Sequence, residues 1–320
     1  MIHQETGNNR PRIDPDFVNE SRWLAPDGWP IRRADWTPSG RRRGSILFVP
    51  GRGDFYEKYL ETLDHWRGCG WAVTALDWRG QGLSGRLGAD SVTGHIDDFA
   101  IWARDLAAFW QEWSAATPGP HVLTAHSMGG HLALRAVASG AVKPDALVLS
   151  APMLGLITHG LPLALFHWAA QAMCALGDPR RPAWKWSEKP GQLPADRSAL
   201  LTHDRDRYAD ELAWRKARPG LVMGPGSWGW MRAAIASMRA LDRREVLQRI
   251  TVPTFITATS ADRLVGIAAI ERAARWLPNV QMLRFGPEAR HEILREVDPV
   301  RGKALAAIDE FLDRAAPALD

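Results

Sequence analysis

The stretch HVLTAHSMGGHLALR, residues 121–135, runs from an apolar segment into a serine and two glycines, and then into a helical pattern. A serine hydroxyl is a poor nucleophile unless a base removes its proton and its side chain stands clear of the main chain. A sharp strand-to-helix turn meets the second need: it strains the backbone at the serine and requires small residues two positions away on each side. Ala125 and Gly129 hold those positions around Ser127, although the usual form of the pattern has glycine where this chain has Ala125. The same turn aims the amide of Met128, at the positive start of the following helix, toward the point where an oxyanion would form. A serine in this setting is also an ordinary helix cap, so the chemistry needs partners. Asp262 in SADRLV (260–265) and His291 in GPEARHEILRE (286–296) each follow a strand-like run. In the order Ser127, Asp262, His291 they match a nucleophile, an orienting acid and an imidazole base on loops at one edge of a sheet. The predicted chemistry is acyl transfer through a serine intermediate, which needs no metal and no organic cofactor.

The elements that must hold these residues are short. Buried-strand patterns occupy 44–51, 71–77, 121–126, 146–152, 251–262 and 280–285, and residues 21–36 read as a hairpin around Asp27 and Gly28. Helical spacing marks 57–70, 97–113, 128–140, 267–277 and 302–316; in the second of these Phe99, Trp102, Leu106, Phe109, Trp110 and Trp113 keep the three-to-four period. Short buried strands alternating with helices imply an α/β fold with a mostly parallel sheet covered on both faces. The alternation breaks once. Residues 153–240 are rich in Trp, Pro and helix formers, and are expected to form a helical cap inserted into a core of 20–152 and 241–320; residues 1–19 are expected to be a flexible arm.

With 320 residues, 46% of them hydrophobic and 24% charged, the chain has ample material for a buried core and is not disordered in bulk. Of the 40 basic residues only six are lysine, a bias so uniform that it reads as genomic composition and not as a nucleic-acid site. Two basic patches, 41–44 and 178–186, read as solvated loops or as contacts for anionic lipid head groups. Cys69 and Cys174 are far apart and lack metal-ligand spacing, which argues against a disulfide scaffold or a cysteine-based zinc site and suits a reducing compartment. The first residues show no secretory signal, so a cytoplasmic location is expected. The most apolar stretch, 161–177, is short for a membrane span and contains His167 and Gln171; it is expected to be buried or to lie peripherally against a lipid surface, with Trp184, Trp186, Trp228 and Trp230 as anchors or as core fillers.

Four motifs together resemble the α/β-hydrolase superfamily, and within it the monoacylglycerol lipase and lysophospholipase branch. They are HSMGG (126–130), DWRGQGLSGR (77–86), SADRLV (260–265) and ARHEILRE (289–296), and the resemblance covers roughly residues 21–316. It implies an α/β-hydrolase fold, Ser127, Asp262 and His291 as the catalytic residues, and the backbone N–H groups of Arg52 and Met128 as the oxyanion hole. It also implies a small-molecule substrate, a lysophospholipid or monoacylglycerol ester, and structural roles for Asp77 and Arg79. The family's oxyanion loop usually begins His-Gly, whereas this chain has Pro50 and then Gly51, so the support of that loop must come from elsewhere. The simplest placement for the Arg52 side chain is toward solvent. Two other readings stay open on the residues alone: hydrolysis of small esters, lactones or peptide N-termini on the same triad, and a non-catalytic member that binds a lipid or small ligand.

Overall fold

Strand β3 (Gly44–Val49) is buried at every position, and its side chains divide between two apolar clusters. Ile46 and Phe48 enter one cluster, Leu47 and Val49 the other, as the alternation of a strand with both faces covered requires. In the computed structural model, which describes residues 18–158, 160–184 and 195–318, β3 is central to an eight-stranded sheet. The other strands are β1 (Asn19–Leu24), β2 (Pro30–Trp36), β4 (Trp71–Leu76), β5 (His121–His126), β6 (Ala146–Ser150), β7 (Thr254–Thr259) and β8 (Val280–Phe285), in the order β1-β2-β4-β3-β5-β6-β7-β8. The first two pairings, β1 with β2 and β2 with β4, are antiparallel; all the others are parallel. Six sequence-predicted strands and the hairpin account for all eight. Of the arm expected over 1–19, residues 1–17 lie outside the described residues, and Asn19 pairs with Asp35 in the sheet.

Ten α-helices are described: α1 (Leu60–Gly68), α2 (Phe99–Ala116), α3 (Met128–Ala138), α4 (Leu163–Ala175), α5 (Ala195–Leu201), α6 (Arg205–Ala217), α7 (Trp228–Leu241), α8 (Arg244–Leu247), α9 (Ile267–Trp276) and α10 (Asp298–Ala315). Three of them start with side-chain caps: Asp98, Asp204 and Ser227 each accept an N–H of the first turn of α2, α6 and α7. Leu63 and Trp66 of α1 and Ile308 and Phe311 of α10 fill the cluster on one face of the sheet. The other face is covered by α2, α3, α7 and α9. Phe99 and Trp230 meet there with ring centroids 6.0 Å apart, so the stretch between β6 and β7 contributes α7 to the layer over the sheet. Among the described residues no helix is long and apolar enough to cross a membrane.

Candidate active site

Because β3, β5, β7 and β8 run parallel, their carboxyl ends open on one edge, and the loops that follow them meet there. Ser127 lies between β5 and α3 with φ 51° and ψ −115°, a left-handed conformation that a non-glycine residue adopts only under strain. The surroundings hold it in place. Its N–H donates to the carbonyl of Ser150 (2.9 Å), and its own carbonyl accepts from His131 (3.2 Å) and Met153 (2.9 Å). A Cβ on Gly129 would fall 2.4 Å from the Pro50 carbonyl oxygen, so only glycine lets α3 begin against the end of β3. Ala125 is fully buried, and its methyl is accommodated where the usual pattern has glycine.

The three sequence-predicted triad residues come together. Ser127 Oγ is 2.9 Å from His291 Nε2, and His291 Nδ1 is 2.7 Å from Asp262 Oδ2. The other Asp262 oxygen accepts the amides of Leu264 (2.8 Å) and Val265 (3.0 Å), which fixes the carboxylate. With Nδ1–H donated to Asp262, the tautomer that fits leaves Nε2 to accept the serine proton. Burial alone would lower the His291 pKa, but the charge and hydrogen bond of Asp262 outweigh it and leave the imidazole above its ordinary 6.5. Asp262 shifts the opposite way: burial would raise it, and the facing imidazole and the loop amides hold it below 3.8.

The loop after β3 lies against the nucleophile. A Cβ on Gly51 would sit 3.1 Å from the Ser127 Cβ, so Arg52 and Met128, the two residues assigned amide donors, flank Ser127 from the loop and from the helix. The support for which a histidine is usually present comes from three other residues. Trp78 donates its indole N–H to the Pro50 carbonyl (2.8 Å), Asp54 accepts the Gly51 amide (3.2 Å), and Gln81 accepts the Gly53 amide (2.7 Å). Gln81 also reaches the Met128 sulfur (3.9 Å), so one amide side chain joins the loop after β3 to the start of α3. The Arg52 side chain does not turn to solvent as expected. Its guanidinium carbon stands 5.0 Å from the Trp230 ring and 5.3 Å from the Trp184 ring, and it donates to the Gly224 carbonyl (2.7 Å). Cation–π attraction from two indoles and one carbonyl outcompete hydration there.

Behind the triad lies a buried ionic cluster that the sequence reading missed. Lys58 Nζ contacts Asp54 (2.5 Å), Glu292 (2.6 Å) and Glu211 of α6 (3.2 Å), and Arg295 pairs with Glu211 and Glu292. Burial would raise all three carboxyls, yet the Lys58 ammonium and its cationic neighbours hold each at about 2. The spacing of Asp54 and Lys58, one helical turn apart, was the available signal. His126 packs on His291 (4.8 Å between centroids), and burial followed by the charge of His291 drives its pKa down to about 4, so it is neutral at neutral pH. ARHEILRE is tied to the segment between β6 and β7. Arg290 donates to the Thr202 carbonyl (2.8 Å), the Glu292 amide to Leu201 (2.8 Å), and Arg207 of α6 to the Glu296 carbonyl (2.6 Å). The structural assignment of Asp77 and Arg79 holds: Arg32 pairs with Asp77 (2.5 Å), and Arg79 forks onto Asp105 and Asp27.

A cavity of about 590 Å³ opens over Ser127 and His291. Leu156, Ile157, Leu200, Met231 and Trp230 give it apolar walls, and Arg52, Arg197 and Arg263 also line it.

Comparison with known proteins agrees with this architecture. Residues 40–298 match the Hydrolase_4 family, described as serine aminopeptidase, S33. Lysophospholipase L2 of Escherichia coli (strain K12) is 29% identical over 316 residues, which cover 92% of this chain and 88% of that protein. The monoacylglycerol lipase of Mycolicibacterium smegmatis is 24% identical, over 82% of this chain and 85% of its own. Among solved structures, a soluble variant of the monoglyceride lipase of Saccharomyces cerevisiae aligns with a TM-score of 0.76 at 20% identity, covering 97% of this chain and 98% of that one; the likeness is one of fold. With the parallel sheet, the strained serine corner and a family match spanning most of its length, the chain belongs to the Hydrolase_4 family of α/β-hydrolases and is a hydrolase of the branch that includes these lysophospholipases and monoacylglycerol lipases.

Proposed function

We propose that the protein hydrolyses carboxylic esters of single-chain lipids, lysophospholipids or monoacylglycerols, through an acyl-enzyme on Ser127. The observation that carries this reading is the run of hydrogen bonds from Ser127 through His291 to Asp262, set at the floor of a cavity with apolar walls. His291 takes the Ser127 proton as the hydroxyl attacks the ester carbonyl, and Asp262 stabilises the imidazolium. The amides of Arg52 and Met128 receive the oxyanion. His291 then protonates the leaving alcohol, and water repeats the sequence on the acyl-enzyme. Each oxyanion donor contributes on the order of 3 kcal/mol to lowering the barrier.

The cavity has the size of a pocket for one small lipid and too little room for a bulky polymer. The substrates named for the Escherichia coli and Mycolicibacterium smegmatis relatives support a single acyl chain. A peptide N-terminus, suggested by the family's description, fits the site less well. Its ammonium needs an uncommitted carboxylate, and among the described residues the two that line the cavity, Asp54 and Glu292, are both bound to Lys58, while three arginines line the same space. The enzyme works from a reducing cytoplasmic compartment, in keeping with two free cysteines, and approaches its substrate from a membrane surface through the exposed apolar side of α4.

The test is an acyl-length series from acetyl to palmitoyl esters, followed by lysophospholipid and monoacylglycerol substrates, with Ser127→Ala as the blank. Rates that rise with chain length and vanish in the variant are expected. Activity restricted to acetyl and butyryl esters would remove the lipid assignment, and activity retained in Ser127→Ala would remove the nucleophile.

A further inference from the structure

The spacing of the cysteines along the chain gives no metal site, but folding brings three ligand types together on the side of the sheet covered by α1 and α10. His65 and Cys69 stand one turn apart at the end of α1, and Asp309 of α10, 244 residues from His65, reaches the same point. His65 Nε2 is 2.7 Å from Asp309 Oδ2 and 3.8 Å from Cys69 Sγ, and the three ligand atoms all lie within 4.8 Å of one another. We propose that His65, Cys69 and Asp309 bind a thiophilic divalent cation, zinc or cadmium, and that the bound ion ties α1 to α10.

The geometry suits such an ion. Nitrogen, sulfur and oxygen ligands at 2.0–2.3 Å around tetrahedral zinc stand about 3.3–3.7 Å apart. The sulfur-to-nitrogen spacing is already close to this; binding opens the nitrogen-to-oxygen spacing by about 0.6 Å from its hydrogen bond and draws the sulfur and oxygen, now within 4.8 Å, together by up to about 1 Å. That movement costs little, because the Asp309 side chain is a quarter exposed and His65 a third exposed. Cys69 is exposed, which gives the ion an entry path and leaves water the fourth position. On binding, the Cys69 thiol releases its proton to solvent and the His65–Asp309 hydrogen bond is exchanged for two metal bonds. Thiolate, carboxylate and neutral imidazole then balance the 2+ charge. Arg43, whose charge acts on Cys69, pairs with Asp313 (2.5 Å) and lies over Trp71. The site shares no residue with the lining of the Ser127 cavity, so its role is to stabilise. α1 follows the loop of Gly51 and Arg52, and α10 follows the loop of His291, so an ion at this point links the supports of both.

Cobalt(II) titration of the full chain in a Cys174→Ser background tests the site. The expected result is a near-ultraviolet thiolate-to-cobalt charge-transfer band, competed away by zinc, and an upward shift of the thermal midpoint with zinc. Cys69→Ser should abolish the band, and His65→Ala and Asp309→Ala should each weaken binding by more than the roughly 10- to 100-fold that follows loss of an outer hydrogen-bond partner at metal sites. Should a variant fail to fold, zinc protection of Cys69 from alkylation, measured against Cys174 in the unaltered chain, gives the same answer. Absence of the band, or a band that persists at unchanged affinity in the His65 and Asp309 variants, overturns the site. Ester hydrolysis at one equivalent of zinc is expected to be unchanged; inhibition that survives in Cys69→Ser would assign the ion to the Ser127 cavity instead.

Discussion

The Lys58 ammonium lies 2.6 Å from the carboxylate of Glu292, the residue next to His291. Through Asp54 it also holds the Gly51 loop, and through Glu211 it holds α6, so one buried cation joins three segments around Ser127. Removing one partner of such a cluster leaves buried charges uncompensated, so Lys58→Met should cost about 3–5 kcal/mol in urea unfolding. The pH dependence should change as well. Asp54, Glu211 and Glu292 have folded pKa values of about 2, depressed from 3.8 or 4.5, so their contribution is present above the ordinary carboxylate range and is lost as pH falls toward 2. Without Lys58 burial dominates and raises those carboxyls, so the variant should gain relative stability on acidification. Parallel acid-unfolding curves for the two proteins would fail this account if the variant tracked the parent at a constant offset.

Asp262→Asn should keep the fold and lower kcat by roughly 10⁴, since the amide favours the wrong imidazole tautomer. Circular dichroism and active-site titration separate this loss from unfolding. A fall of tenfold or less would mean that the 2.7 Å contact between Asp262 and His291 does not orient the base.

The acid limb of kcat/KM should report His291. Its pKa is raised above 6.5, chiefly by Asp262 acting against burial, and only the neutral imidazole accepts the Ser127 proton, so activity should begin to fall with acid while the pH is still above 6.5. Glu292 adds to the rise, so Glu292→Gln should move the limb to lower pH. His126, held near 4, should not contribute to this limb. A limb below 6.5 in the parent protein would contradict the raised imidazole.

Gln81 carries a prediction that separates positioning from binding. Gln81→Leu removes the acceptor of the Gly53 amide and the contact with Met128, and so loosens the loop on which the Arg52 donor rides. Loss of a whole oxyanion donor costs roughly 10²–10³ in kcat, so the displaced loop should cost up to roughly 10² with KM little changed. A variant altered in KM alone would place Gln81 with substrate binding instead.

The triad was legible because each member follows its own strand, and strand patterns of four to eight apolar residues survive in sequence without long-range information. The order of Ser127, Asp262 and His291 along the chain, each after a strand, therefore points to one edge of the sheet, where the structure brings them together. Gln81 stands in the same DWRGQG motif as Asp77 and Arg79, yet nothing local says that its side chain crosses to Gly53. Lys58 and Glu292 are 234 residues apart, and a buried ion pair leaves no periodic trace. Arg52 was misplaced for a related reason: its partners, Trp184, Trp230 and the Gly224 carbonyl, come from the segment between β6 and β7, whose register against the sheet is not written in its pattern.

The apolar run at 161–177 is the most apolar of the sequence, and the fold assigns its sides. Leu163 and Phe166 pack toward the core, while Leu161, Leu165, Trp168 and Leu176 remain 55%, 55%, 68% and 80% exposed. Leu165 and Trp168 lie one turn apart on α4 and Leu176 caps its end, with Leu161 just ahead of the helix and no charged residue between Leu161 and Leu176. Soluble surfaces rarely leave so many large apolar groups together in water, and the lipid contact proposed above is tested by removing this stripe. Each such side chain contributes about 1.5–3 kcal/mol on burial, so Leu165→Asp with Trp168→Ser should lower vesicle binding, and the rate on vesicle-borne lysolipid, by more than roughly tenfold. Hydrolysis of a soluble short-chain ester should be unchanged, because neither residue lines the Ser127 cavity. Sedimentation with vesicles and the two rates, measured side by side, decide the matter: equal losses on both substrates would make the stripe a structural element of the cap, and no loss on vesicles would leave α4 without a lipid role.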